Sequence, residues 1–316
     1  MSALAELRGV YRDRRADNAL GYVGADLPRE LVEAAGYVPL RLAPVEGVDR
    51  SFADRVLGPG VDEATRAVLA GLLEHAYPVE RVVLCHDSDH TVRLYTSLRR
   101  LDVPQLDLWF LDLLHLPRAT TDAYDRARLV ELTEWLGSDG DLPRAIGEAN
   151  RARALGPQLA ELRRSGGMSS AEALALLGAG TALPAARYAE LLAAALGEVR
   201  AEDDGRTAVL MLGSEHPDDA VYRAVDELGA VVVSETHSWG ETLLAGRVDE
   251  HGDPLDALVR HYRPRPRTEP AAADVQIAWI RRGDETVAWS LPFDRRRLGR
   301  PIAVARTLDD LRRALE

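Results

Sequence analysis

Short apolar runs that alternate with helix-length amphipathic segments constrain this chain of 316 residues more than any other feature, and they do so twice. In the first block, ALGYVGAD (19–26), YVPLRLA (37–43), RVVLCH (81–86) and QLDLWFL (105–111) read as strands. They are separated by LPRELVEAAG, a helix opened by Pro28 and closed by Gly36, by a helix over 62–76, and by TVRLYTSLRRL. Strands spaced by helices of this length demand right-handed crossovers and a parallel sheet covered on both faces. From 119 to 203 the strand signal vanishes, and 122–137, 141–164, 169–178 and 184–200 carry helical periodicity, with Ser169 or Ser170 as an N-cap. The alternation then resumes with RTAVLMLGS, PDDAVYRAVDELG, AVVVSET, DPLDALVRHY, VQIAWIRR, RPIAVA and TLDDLRRALE. The expectation is an α/β protein: two doubly wound, Rossmann-like parallel-sheet domains facing a central cleft, at 1–118 and 204–316, with a helical arm at 119–203. The two blocks resemble each other in pattern without a residue-level repeat.

Composition removes several chemistries. There is one cysteine, Cys85, and no lysine; all 39 basic residues are arginine. A disulfide framework or a structural zinc site needs at least two cysteines, and a Schiff base or a Walker-type phosphate loop needs a lysine. The formal net charge of −12 argues against nucleic acid as a partner. The arginine clusters at 263–267 and 295–300 read as solvated loops able to meet a phosphate locally. No apolar stretch approaches the ~20 residues that span a bilayer, and the N-terminal MSALAELRGVYRDRR reads as an amphipathic helix instead of a signal peptide. A cytoplasmic protein with no membrane contact is expected.

In open parallel sheets ligands bind outside the carboxyl ends of the strands. Three polar clusters fall at such ends: Cys85-His86-Asp87-Ser88-Asp89-His90, Ser214-Glu215-His216, and Glu235-Thr236-His237-Ser238-Trp239-Gly240. A fourth strand end supplies Arg281, Arg282, Asp284 and Glu285. His86, His90 and an aspartate can ligate a metal, joined by His216 or His237. The competing structural reading has Asp87, Ser88 or Asp89 capping the helix that begins near Thr91. His216 also fits a plain helix-entry loop before Pro217. His237, beside a carboxylate and a hydroxyl, suits general acid–base work, with Trp239 as an apolar wall. No GxSxG elbow, phosphate loop or dinucleotide fingerprint is present.

On GYVGADLPRELVEAAGYVPLRL, VVLCHDSDHTVRLY, IGEANRARALGPQLAELR, TAVLMLGSEHPDDAVYRAVDELGAVVVSETHSWG and DPLDALVRHY, the chain resembles the 2-hydroxyacyl-CoA dehydratase and benzoyl-CoA reductase family over most of its length. The resemblance implies two α/β units that hold an iron–sulfur cluster through three cysteines per subunit. The matching positions here are Arg50 or Ser51, Ser88 and Ser238, and Cys85 lies three residues before the ligand position. The expectation is therefore a family protein with no iron–sulfur cluster and no other assigned cofactor. It would perform lyase chemistry of dehydratase type on an acyl thioester or related acid, with His86 and His237 as acid and base and Ser88 and Ser238 orienting the substrate oxygen. Asp87, His90, Glu215, His216, Trp239 and Arg50 would line the substrate site. Two alternatives stand beside it. One is a non-catalytic subunit that pairs with a cluster-bearing paralogue, and the assembly expected for the protein is a homodimer or a heterodimer with a family paralogue. The other is a metal-dependent lyase or hydrolase built on the HDSDH loop.

Overall fold

The computed structural model describes residues 2–200, 205–265 and 269–316, without the side chains of Glu285 and Thr286. In chain order the elements are α1 (Ala3–Asp13), β1 (Ala19–Val23), α2 (Arg29–Ala34), β2 (Val38–Arg41), α3 (Ser51–Leu57), α4 (Glu63–Leu73), β3 (Arg81–Cys85), α5 (Asp89–Leu101) and β4 (Asp107–Leu111). Five helices follow without a strand: α6 (Ala119–Leu136), α7 (Leu142–Arg153), α8 (Gly156–Arg164), α9 (Ser170–Ala179) and α10 (Ala185–Glu198). The chain then continues through β5 (Thr207–Gly213), α11 (Ala220–Glu227), β6 (Ala230–Glu235), a 3-10 turn at Glu241–Leu244, α12 (Pro254–Tyr262), β7 (Val275–Trp279), α13 (Glu285–Leu298), β8 (Ala303–Ala305) and α14 (Leu308–Leu315).

The strands form two four-stranded sheets in the orders β2-β1-β3-β4 and β6-β5-β7-β8, and all six pairings are parallel. The shared order gives the two halves of the chain one topology, so the similarity of pattern in the sequence has a counterpart in the fold. The α/β class with two Rossmann-like parallel sheets agrees with the sequence expectation. β3 and β6 are buried almost throughout, as continuous apolar runs in parallel sheets require because helices cover both faces. Side chains fix the helix starts locally: Asp62 caps α4, Ser88 caps α5, and Ser169 and Thr307 each form a reciprocal capping box.

Two local expectations need correction, and one helix, α3, carried no sequence signal. The segment 141–164 is two helices, because Pro157 in the first turn of α8 cannot continue the ladder of α7. The seven residues of α3 are too few to show a period. The stretch containing the arginines at 295–297, read as solvated loop, is the last turn of α13, and Pro292 inside that helix hid it. Of the other arginine cluster, Arg267 lies outside the described residues.

Packing crosses the order of the chain. Leu7 and Tyr11 of α1 are buried with α9, α10 and the strands β5 and β6, although α1 comes first in sequence. Conversely Ala257, Leu258 and Val259 of α12 join Leu20, Val83, Leu129 and Leu132 around the first sheet. Each half thus contributes a helix to the core of the other, which ties the carboxyl ends of both sheets into one body.

Candidate functional site

A cavity of about 700 Å³ opens where those ends meet. From the first half it takes Tyr22, Gly24, Ala25, Asp26, Leu27, Arg29 and Arg41, and from the second Gly213, Glu215, Thr236, His237 and Ser238. Arg153, Thr181, Tyr188, Thr242, His261, Tyr262, Arg265 and, from α13, Ser290, Phe293, Asp294 and Arg297 complete the polar and aromatic part of the wall. Gly24 is there because nothing larger fits. Its φ is +102°, and a Cβ would lie 2.7 Å from Asp87 Oδ2 and 2.8 Å from Cys85 Cβ.

Arg41, the last residue of β2, is 2% exposed and bridges the two halves. It donates to the Ser238 carbonyl at 2.7 Å, to Ser238 Oγ at 2.6 Å and to Glu215 Oε1 at 3.0 Å. Ser238 Oγ in turn donates to Glu215 Oε1. The indole of Trp239 lies between two guanidinium groups, with Arg41 Cζ 4.4 Å and Arg14 Cζ 4.5 Å from its ring centroid. Burial would raise the Glu215 carboxyl, yet Arg41 and then the Ser238 hydrogen bond outweigh it and hold the group below the usual glutamate range. Asp87 goes the other way. Burial first, then the charges of Glu215 and Asp26, push it up to about 6 against the pull of Arg41. Its two oxygens accept from the Ala25 amide at 2.7 Å and the Thr91 hydroxyl at 3.2 Å.

His237 lines the cavity, but both of its nitrogens are used by the fold. Nδ1 accepts from the Trp239 amide at 3.3 Å, so the proton sits on Nε2 and is donated to the Tyr222 hydroxyl at 2.7 Å. Tyr222 donates onward to Glu235, which is itself salt-bridged to Arg163 at the buried end of β6. Burial lowers the His237 imidazole to about 3, and it lowers His216, whose ring centroid is 4.9 Å from that of His237, well below the usual histidine range. Both rings are neutral at physiological pH.

The remaining expected positions scatter. His86 is 45% exposed in its side chain, pairs with Asp112 at 2.7 Å and is not part of the cavity wall, so the two histidines expected to act together do not face one ligand. Ser88 is the N-cap of α5, accepting from the Thr91 amide at 3.2 Å, which is the structural reading of that loop. His90 has two enclosed ring nitrogens without hydrogen-bond partners among the described residues. Arg50 is exposed at the start of α3. Arg281 and Asp284 serve the loop after β5: Arg281 donates to the Glu215 carbonyl at 2.8 Å and Asp284 accepts from Ser214 Oγ at 2.7 Å. The side chain of Glu285 lies outside the described residues. Sequence reasoning missed Arg41, Asp26 and Arg29, and it read Arg265, within the cluster at 263–267, as part of a solvated loop able to meet a phosphate. Of the three missed, only Arg41 carried a signal, a charge inside the apolar run YVPLRLA.

Among the described residues no three His, Cys, Asp or Glu side chains come together as a metal site. The donor set also does not fit a thiolate-held iron–sulfur cluster. Cys85 is fully buried at the end of β3, burial and then Asp87 push its thiol well up, and the positions matching the family's ligands hold hydroxyl or guanidinium groups already engaged or turned to solvent. No helix among the described residues is long and apolar enough to cross a membrane.

Compared with known proteins, residues 25–282 match the family model described as 2-hydroxyglutaryl-CoA dehydratase, D-component. No curated protein matches the chain.

Proposed function

Because this chain belongs to the 2-hydroxyglutaryl-CoA dehydratase D-component family, we propose that it is a cluster-free member that binds an acyl thioester or related acid in the cavity and eliminates water from it without electron transfer. The observation that carries this reading is the Arg41–Ser238–Glu215 cluster, a buried cation, a hydroxyl and an ionised carboxylate in one hydrogen-bonded group on the cavity wall. In this reading the acid–base work passes from His86 and His237 to Glu215. Its Oε1 is taken by Arg41 and Ser238, which leaves Oε2 for a substrate proton. Arg41 stabilises the negative charge that grows on the thioester oxygen as the proton leaves the α-carbon, while the Ser238 hydroxyl, whose one proton goes to Glu215, holds that carboxylate in place. Glu215 then passes that proton to the departing β-hydroxyl, the carbon–oxygen bond breaks, and water and an enoyl product leave with the carboxylate restored. A soluble protein acting on a small anionic molecule, with no nucleic acid and no membrane partner, agrees with the net charge of −12 and the arginine-lined wall.

The test is a panel of 3-hydroxyacyl thioesters and free 3-hydroxy acids, followed by the ultraviolet absorbance of the conjugated product, with iron and acid-labile sulfide measured on the same preparation. Glu215→Gln keeps the shape and the hydrogen bonds of Oε1, and loses at least about a hundredfold in turnover if the carboxylate is the base. Full turnover by that variant, or stoichiometric iron and acid-labile sulfide in the wild type, sinks the reading. The family's description as a component also supports a second reading, a non-catalytic subunit completing a cluster-bearing paralogue. Copurification of a brown complex with such a relative, together with an inactive isolated chain, would favour it.

A further inference from the structure

At the wall of the cavity, the connector that leaves α12 is tied down by a histidine that the proposed chemistry does not use. His115 follows β4, and both of its ring nitrogens face acceptors. Nδ1 is 2.7 Å from the Arg263 carbonyl and Nε2 is 2.9 Å from Asp26 Oδ2. A neutral imidazole has one N–H and can serve only one of these, so the geometry requires the doubly protonated ring. Arg265 also grips Asp26, with Nε 3.2 Å from Oδ1 and Nη2 3.0 Å from Oδ2, and Arg263 pairs with Asp122 of α6. Arg265 itself sits at φ +51°, a left-handed conformation that an arginine keeps only when its surroundings hold it there. Asp26 and Arg265 both line the cavity, so this tie forms part of its wall.

We propose that protonated His115 is a pH-sensitive latch that holds the Arg263–Arg265 strap against Asp26, and that alkaline pH loosens this wall of the cavity. The charged groups around the ring are Asp26 from the loop after β1, Arg263 and Arg265 from the strap, and Asp122 and Asp125 from α6; Asp125 accepts from the amide of Leu114 beside it. The hydrogen bond to Asp26 is the largest influence on His115 and raises its affinity for a proton, which favours the closed latch, and loss of that proton as pH rises opens it. Once one proton leaves, the ring must release either the carboxylate or the carbonyl, and the charge that Asp26 shares with Arg265 and His115 is no longer fully balanced. As regulation of the ligand site this rests on the proposed reading of the cavity, but the test uses no ligand.

Hydrogen exchange of the peptide spanning 259–265, corrected for intrinsic rates, is measured on the full chain from pH 6 to pH 9.5. The wild type is expected to lose at least about tenfold in protection across the upper part of this range. His115→Gln keeps one donor, lacks the charge, and should show the weaker protection at every pH. In parallel, spectra of protein labelled with 15N-histidine, assigned by that variant, should show both His115 nitrogens protonated at pH 6.5. A single neutral tautomer at pH 6.5, or strap protection that neither pH nor His115→Gln alters, overturns the latch and leaves the Glu215 chemistry unaffected.

Discussion

Asp87→Asn is the substitution that most directly weighs the electrostatics of this site. Asp87 rests between the Ala25 amide and the Thr91 hydroxyl, with the charges of Glu215 and Asp26 nearby, and its carboxyl is raised from 3.8 to about 6. A carboxyl that binds its proton more tightly in the folded chain stabilises the fold below its unfolded value and loses that contribution as pH rises through its folded value. At pH 8 the folded wild type therefore carries a strained charge. At about 1.4 kcal/mol per pH unit the gap amounts to about 3 kcal/mol, and about 1–2 kcal/mol after allowing for solvent screening of a part-exposed side chain. Asparagine cannot ionise, but it can still accept from the Ala25 amide and offer its NH₂ to the Thr91 hydroxyl, so the variant keeps the geometry without the charge. Urea unfolding at pH 4, 5, 6, 7 and 8 should show it more stable than wild type by about 1–2 kcal/mol at pH 8, with the difference shrinking towards zero by pH 4. A variant that is less stable than wild type at pH 8, or a difference that does not change with pH, would refute the argument that Asp87 is held in a hostile field.

Gly24→Ala should cost more than about 2 kcal/mol in the same assay, because the new Cβ would lie 2.7 Å from Asp87 Oδ2 at φ +102°; a neutral result would show that the loop relaxes freely. Arg41→Gln leaves Glu215 without its buried cation and should destabilise the fold by about 3–5 kcal/mol, with a loss of ligand affinity read by calorimetry. Acid should unfold the protein early. His237, lowered by burial to about 3, and His216, lowered well below 6.5, stay neutral in the fold while the unfolded chain takes up protons, so each removes about 1.4 kcal/mol per pH unit below 6.5. His237→Asn should flatten that slope by about one proton between pH 6 and pH 4.

The sheets were legible from sequence because runs such as RVVLC and AVVVSE are apolar throughout, which a strand covered on both faces demands and a surface strand does not. Helix α13 was not, since Pro292 interrupts it and its arginines resemble those of a loop. Of the site, the strand-end loops were legible and the roles within them were not. Ser88 and Ser238 occupy equivalent positions after strand ends, yet one caps the helix that begins at the next residue while the other meets Arg41, 197 residues away in the chain. No local pattern encodes a partner at that separation. His237 shows the same limit from the other side. The neighbours Glu235 and Ser238 suggested a proton shuttle, whereas Tyr222 and the Trp239 amide, brought in by the fold, consume both of its nitrogens.

That contrast bears on what the Arg41–Ser238–Glu215 cluster is for. Desolvating a guanidinium costs several kcal/mol, and a buried arginine persists only where its donors are met. Arg41 directs three hydrogen bonds to the second half of the chain, to the Ser238 carbonyl and hydroxyl and to Glu215, and its guanidinium lies over the face of Trp239. If Ser238 were merely a remnant of a lost cluster ligand, nothing would require a charged group from the opposite sheet to be aimed at it. An apolar side chain at position 41 would close the same gap at less electrostatic cost. On the proposed reading, the retained cation is explained by the charge that an acyl oxygen develops beside it, and Glu215 is kept ionised by the same contact. The comparison that separates these accounts is Arg41→Leu against Arg41→Leu/Glu215→Leu/Ser238→Ala. If the triple variant recovers the stability lost by the single one and neither binds ligand, the cluster serves chemistry instead of folding.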